Sequence, residues 1–466
     1  MNNLCMQNKF KSLVVKFTTL TVPATILFAG SASEAKDLFR LDAYLTLQSA
    51  TSLGATTSAG SGSGTGTLPT SRPQTNITNQ ISGNTQSASV SFNKISDLVD
   101  ALSGQNLKNY VNLYTDNSAV TTNLFIRGLS TTASYGANST ALRFNVPSIG
   151  IDLTFTGTTR KDSQSQFKDF LLKNGGDILA RLMRELVATS PVDPVAGNPN
   201  SLQAQMNATS FSTATGFGVL SDKPSPQAPG SSERPNNPNL FSAGGDAGLA
   251  RSGGYTTASV HLPLKYTISF PDPDYALTFD LPLTYVRTEG AQSGIGSFGA
   301  SLRVPLVAER WYLSPSVRAG AAGSIDLGSA ALMYSADLTS FYTFHATPDL
   351  KIGIGNGIGF YKTGGFSVSG YSFDYKLRNA ITKNGISIEG PLDGALFERP
   401  ISWQAYVTDT YAFGDRLYVP HYNELGLVVG TRHADGDQMW DSFRLGLTYT
   451  VGRNYNALKL NAGYRF

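Results

Sequence analysis

From Gly254 to the C-terminus, apolar and polar residues take turns along the chain. In "ASVHLPLKYTISF" the apolar set is Val260, Leu262, Leu264, Tyr266, Ile268 and Phe270; after a four-residue turn at 271–274, "YALTFDLPLTY" repeats the pattern from Tyr275 to Tyr285. "SFGASLRVPLV" follows with Phe298, Ala300, Leu302, Val304 and Leu306 on one face. Period-2 segments of this kind, divided by turn clusters such as "VAER", "ATPD", "FGDR" and "ADGD", continue to the end,. Eleven are plain and a twelfth lies near "NGISIEG". Sandwich strands usually run about 5–6 residues. Alternation over eleven or more suits strands tilted across a hydrocarbon layer, which need ~9–11. A sheet in lipid must close on itself, or its edge would leave backbone groups unsatisfied. At roughly 17–18 residues per strand and turn, residues 254–466 hold twelve strands, and an even number returns both ends to one side,. The expected fold is an all-β transmembrane antiparallel barrel with a mixed α/β N-terminal region. Aromatics at strand ends (Phe270, Tyr275, Trp311, Trp440) suit interfacial girdles,.

The first half reads differently. Residues 36–90 include the Ser/Thr/Gly-rich "SAGSGSGTGTLPTS", a flexible composition,. Over 91–190 the pattern is that of a small α/β domain. Ile95, Leu98, Val99 and Leu102 have helical spacing, and "TTNLFIRGLS" and "SIGIDLTFTG" read as short strands. A helical stretch from Asp162 to Val187 is broken at Asn174-Gly175-Gly176. Its second half puts Ile178, Leu179, Leu182, Met183, Leu186 and Val187 on one face, with Asp177 as candidate N-cap,. Residues 191–253 are rich in Pro, Asn and Gly and read as a linker,.

The opening 35 residues have the order of a secretory signal peptide: Lys9, Lys11 and Lys16, then apolar Leu20 to Gly30, then small residues to Ala35,. The only cysteine, Cys5, lies inside it, so the mature chain has no disulfide or thiolate metal framework,. Without the leader, 33 basic and 32 acidic residues remain, a balance that does not suggest nucleic acid as a partner,.

The chain ends in "NALKLNAGYRF", with Leu458, Leu460, Ala462, Tyr464 and Phe466 at every second position. This ending resembles the C-terminal assembly signal of Gram-negative outer-membrane β-barrel proteins. The resemblance covers the leader and roughly residues 254–466, and it specifies no subfamily. It implies that the barrel-assembly machinery and outer-membrane lipids are partners. It also implies that Phe466 sits at the periplasmic rim, with the N-terminal region periplasmic or inside the barrel.

With the apolar set facing lipid, the opposite set lines the lumen. Its basic members are Lys265, Arg303, Arg318, Lys351, Lys376, Arg378, Arg432, Arg444, Lys459 and Arg465; its acids are Asp280, Asp337, Asp374 and Glu424. A basic lumen favours anions, because low-dielectric walls focus the field of lining charges. Pairing of these charges with one another, or with a plug, would fill the barrel instead. His261 is the one histidine placed inward; His345, His421 and His433 fall at strand ends or turns, and none sits beside a serine in a recognisable catalytic motif,. The glycines of "KIGIGNGIGF" alternate along a strand and read as one bare face, not as a dinucleotide loop,. No catalytic residue, metal site or cofactor is expected. "FIRGLS" (Phe125 to Ser130) weakly resembles the plug of TonB-dependent receptors, but those barrels need 22 strands,. The leading expectation is therefore a plugged or gated channel for solutes. An export pore for a secreted polymer or fibre, and a structural or adhesive barrel without transport, are the alternatives.

Overall fold

The computed structural model describes residues 37–47, 78–82, 84–102, 104–170, 176–220, 239–270, 275–368, 371–432 and 442–466. The expected leader with Cys5, most of the Ser/Thr/Gly-rich stretch, Asn174 and Gly175, the 271–274 turn, "ADGD", His433 and Trp440 lie outside the described residues.

The N-terminal domain is a seven-stranded antiparallel sheet with helices on one face. Its strands are β1 (Phe39–Thr46), β2 (Thr78–Ser82), β3 (Thr85–Phe92), β4 (Ala119–Ile126), β5 (Leu129–Tyr135), β6 (Leu142–Val146) and β7 (Ile151–Phe155), in the order β2-β3-β1-β4-β5-β6-β7. Alternation decides which face is covered. Phe39, Leu41, Ala43 and Leu45 of β1 are fully buried. They share a core with Leu98 of α1 (Ile95–Ala101), Leu107 of α2 (Gly104–Tyr110), Phe167 of α3 (Arg160–Asp169) and Leu182 of α4 (Gly176–Thr189). Thr159 caps α3, its side chain accepting from the Asp162 amide,. Asp177 lies inside the first turn of α4 rather than at its cap position. Arg160 is buried between Tyr114 and Tyr135 and donates to the carbonyls of Thr115, Ser118, Gly136 and Ser139. It ties the loops at the far end of the sheet together.

The second half is a closed antiparallel barrel of twelve strands. Preceded by α5 (Leu202–Thr215), they are β8 (Leu240–Ser252), β9 (Tyr255–Ser269), β10 (Ala276–Thr288), β11 (Ala291–Val307), β12 (Trp311–Ser324), β13 (Ser329–Thr347) and β14 (Leu350–Gly364). A small hairpin, β15 (Phe366–Val368) and β16 (Tyr371–Phe373), interrupts them. The remainder are β17 (Arg378–Leu396), β18 (Arg399–Gly414), β19 (His421–Thr431), β20 (Ser442–Gly452) and β21 (Tyr455–Arg465). β21 pairs with β8, and reciprocal backbone bonds between Phe241 and Phe466 finish the seam.

"NGISIEG" is indeed a barrel strand, part of β17, but the strand that completes the twelve lies outside the stretch expected to hold them. It is β8, within the segment read as linker. Its sequence, "LFSAGGDAGLARS", lacks alternating large apolar residues. The space explains this: a Cβ on Gly244 would meet Leu220 and Pro263, and one on Gly248 would meet Lys459. The same supposed linker also contributes α5, and residues 190–201 are buried throughout.

Candidate functional site

Helix α5 crosses the lumen. Eleven of its fourteen residues are buried, and it packs on β11, β12, β13, β14 and β17. A helix with no preferred apolar side suits a setting where every direction is wall. Its polar side chains find partners all round. Gln203 donates to Asn379 at 3.0 Å, and Gln205 accepts from Thr284 at 2.6 Å. Ser210 contacts Arg318 Nε at 2.6 Å, and Thr213 accepts from Lys265 Nζ at 2.8 Å. The amides of Leu202 and Gln203, which no helical carbonyl can satisfy, donate to Pro194 and Val195,. Gly216, in the left-handed region at φ 73, ends the helix,. Beyond it Phe217 stacks on Tyr406, and the Gly218 amide donates to Gln404.

The bare face of β14 makes room for this helix. A Cβ on Gly355 would lie 2.7 Å from Thr215 and 2.8 Å from Phe211, and one on Gly357 would crowd Phe211 too. Ile352, Ile354, Ile358 and Phe360 alternate with those glycines on the outer face. Gly355 and Gly357 thus form a seat for Phe211, while Gly353 makes room for Phe341 and Gly359 for Asp337.

The helix runs between two different ends. At one, Gly197 accepts from the Val419 amide, and the N-terminal domain sits on the turns. Lys94 pairs with Asp326 at 3.0 Å, the Ile95 amide donates to the Asp326 carbonyl, and Tyr255 Oη donates to the Asp37 carbonyl. Lys376 pairs with Asp177, and Arg127 forms a fully buried pair with Asp193 at 2.8 Å. "FIRGLS" is therefore the β4–β5 turn that reaches into the mouth. At the other end, Leu220 meets the backbones at Gly244 and Gly463, close to where β8 starts and β21 finishes.

No protein-family model matches this sequence, and no curated protein matches it. Solved structures do. The β domain of the Bordetella autotransporter Brka is 15% identical, with a TM-score of 0.39 over 49% of this chain and 98% of that one. The translocator domain of autotransporter NalP from Neisseria meningitidis is 13% identical, with a TM-score of 0.38 over 49% and 88%. An outer membrane channel from Pseudomonas putida F1 is 13% identical, with a TM-score of 0.36 over 52% and 99%. The architecture itself stands on the strand pairing. This chain is a closed twelve-strand β-barrel with an N-terminal α/β domain.

Most of the charges expected in the barrel's lumen are there, and the acids hold several of them. Arg318 makes a buried bidentate pair with Asp280, and Lys351 pairs with Glu389 at 3.0 Å. Asp337 accepts from Tyr361 and from Ser335 at 2.9 Å. Glu424 accepts from Lys383 and from Thr408 at 3.1 Å. Arg303 lies 5.8 Å from the Tyr312 ring, Arg444 donates to the Gly218 carbonyl, and Arg465 donates to Ser442. Lys459 abuts Gly248, and His261 faces inward against Thr284 at 2.7 Å. Leu458, Leu460, Ala462, Tyr464 and Phe466 take the opposite face of β21.

Four expected lumen residues lie elsewhere. Asp374 and Lys376 belong to the loop before β17, where Asp374 accepts from the Lys376 amide. Arg378, the first residue of β17, is exposed, whereas its neighbour Asn379 is buried and meets α5. Arg432 lies just past the end of β19 at the rim. The alternation of Tyr375 and Leu377 mimics a strand, yet both are buried in the mouth's core. Conversely, Lys383, Glu389, Tyr361 and Gln404 were not singled out. Inward parity opposite Ile386 and Ile388 would have found Lys383 and Glu389.

Proposed function

We propose that this protein is an outer-membrane barrel that exports and then anchors its own N-terminal domain on the cell surface. The observation that carries this is the passage of the chain through the lumen at α5. The domain stands at one end; both termini of the barrel stand at the other. If the Phe466 end is periplasmic, as its assembly-signal pattern implies, the domain is outside the cell. The outer belt supports membrane residence: Val260, Phe298, Val317, Phe360, Leu427 and Leu460 are all more than half exposed,. In this reading the expected plug is α5 rather than the domain over 91–190, and the barrel is closed once export is complete.

Protease added to intact cells tests it. The N-terminal domain should be cleaved while a C-terminal epitope stays protected. A domain protected in intact cells, and cleaved only after the outer membrane is permeabilised, would place it in the periplasm and defeat the proposal.

A further inference from the structure

The outward positions near the domain end of the barrel carry basic residues. Lys362 of β14 and Arg378 of β17 stand directly opposite each other across the ladder, and both are exposed. Like charges in direct cross-strand register destabilise a sheet unless something neutralises them. Among the described residues neither side chain has an ion-pair partner. The nearby carboxylates are engaged: Asp415 accepts from the Arg378 amide at 2.6 Å, and Asp374 from the Lys376 amide at 3.1 Å. Immediately below, on the same outer face, Phe360 is 62% exposed, and beside Lys362, in register with it on β13, Tyr334 is 52% exposed. The pair thus sits where an apolar belt gives way to a polar layer.

We infer that Lys362 and Arg378 bind a phosphate on the headgroup of a phosphorylated glycolipid whose acyl chains lie along Phe360 and Tyr334. A guanidinium presents two parallel donors to a phosphate and an ammonium adds a point charge, so one dianion relieves the repulsion between them. The exposed rings of Phe360 beneath and Tyr334 alongside favour a lipid over a free anion. Arg287, exposed on the outer side of β10, repeats the basic character elsewhere on the same rim. This inference rests on the membrane orientation proposed above, which puts this rim in the outer leaflet. Binding is measured in detergent, so its failure and a failure of the orientation are told apart.

The test uses the full chain refolded in detergent, its folding checked by the heat-modifiable gel shift. Binding of diphosphorylated lipid A is followed by native mass spectrometry. The double variant K362Q/R378Q should bind about tenfold more weakly or worse, the consequence of losing at least one charge-assisted contact. The double variant K108Q/K161Q, which removes the same charge from the N-terminal domain, should bind as the wild type does. Phosphate-free lipid A should bind weakly to all three proteins, and excess inorganic phosphate should not displace the lipid. Equal binding by K362Q/R378Q and wild type overturns the inference, as does an equal loss in K108Q/K161Q. Retention of the phosphate-free lipid, or displacement by inorganic phosphate, also overturns it.

Discussion

Strands β1 and β21 have nearly the same pattern and opposite faces buried. In β1 the apolar set is hidden, with Leu41 at 0% exposure, while Tyr44 on the other face is 41% exposed. In β21 the apolar set is the outer one, with Leu460 at 55%, and Arg465 on the other face is 2% exposed. The N-terminal sheet buries its oily side under its own helices. The barrel turns its oily side outward and must therefore satisfy a polar interior. That difference accounts for α5: a helix offering hydroxyls and amides on every side fills such an interior, where an amphipathic helix like α4 would not.

The strongest test of the contrast is to empty the barrel. Replacing residues 202–215 with a Gly/Ser linker should raise conductance in planar bilayers well above that of the intact chain. Lys265, Arg318, Lys383 and Arg444 would then face water, so reversal potentials in a salt gradient should show anion preference. A variant that folds, by gel shift, and still does not conduct would mean the side chains alone close the lumen.

Next in size is the interior pairing. Asp280→Ala leaves the buried Arg318 without its carboxylate, and breaking a buried pair costs about 3–5 kcal/mol,. Urea unfolding in lipid vesicles should show it. A loss under 1 kcal/mol would indicate that water reaches Arg318 and that the interior is wetter than its contacts suggest.

The outer face makes the comparison direct. Val317→Arg, at a position 60% exposed in the middle of β12, should cost about 2–4 kcal/mol if that face meets lipid,. Tyr44→Arg, on the open face of the N-terminal sheet, should stay within about 0.5 kcal/mol, as for a water-exposed site. Similar small values for both would put water on both faces and remove the membrane reading.

How much of this was legible in the sequence follows from the same contrast. Alternation of large residues announces a strand wherever one face is apolar, so β9 to β14 and β18 to β21 were readable from "ASVHLPLKYTISF" onward. β8 was not, because glycine and alanine replace large residues where neighbouring backbones and Lys459 come close. α5 was hidden for a related reason. "LQAQMNATSFSTAT" has no apolar stripe, since its surroundings are polar on nearly all sides, and the Pro- and Asn-rich run before it looks like a linker although it is buried. Parity then misled at Asp374 and Lys376, where a loop copies the strand period. Parity also failed at Arg378, which opens β17 on the outer face, whereas Lys265, Arg303, Arg318 and Arg465 are buried on the inner face of their strands.

The smallest effect concerns how the domain is held on the barrel. Two kinds of contact are present there: the buried Arg127–Asp193 pair and the exposed Lys376–Asp177 pair. A hydrogen bond from Lys376 and its charge hold the Asp177 carboxyl below the usual carboxylate range. A carboxylate with a lowered folded value adds stability above its unfolded value, and that contribution is lost as pH falls through the folded one. Docking should therefore be flat from neutral pH down to the ordinary carboxylate range and weaken only in stronger acid. Because the pair is solvent-exposed, screening should shrink even this contribution. Asp177→Asn at neutral pH should barely change hydrogen exchange at the amides of Val195, Ala196 and Val419, and added salt should do no more. Arg127→Ala should speed exchange at the same amides clearly, because it strands a buried carboxylate. If Asp177→Asn loosens the mouth as much as Arg127→Ala does, the domain is held by surface charge rather than by the buried turn of "FIRGLS".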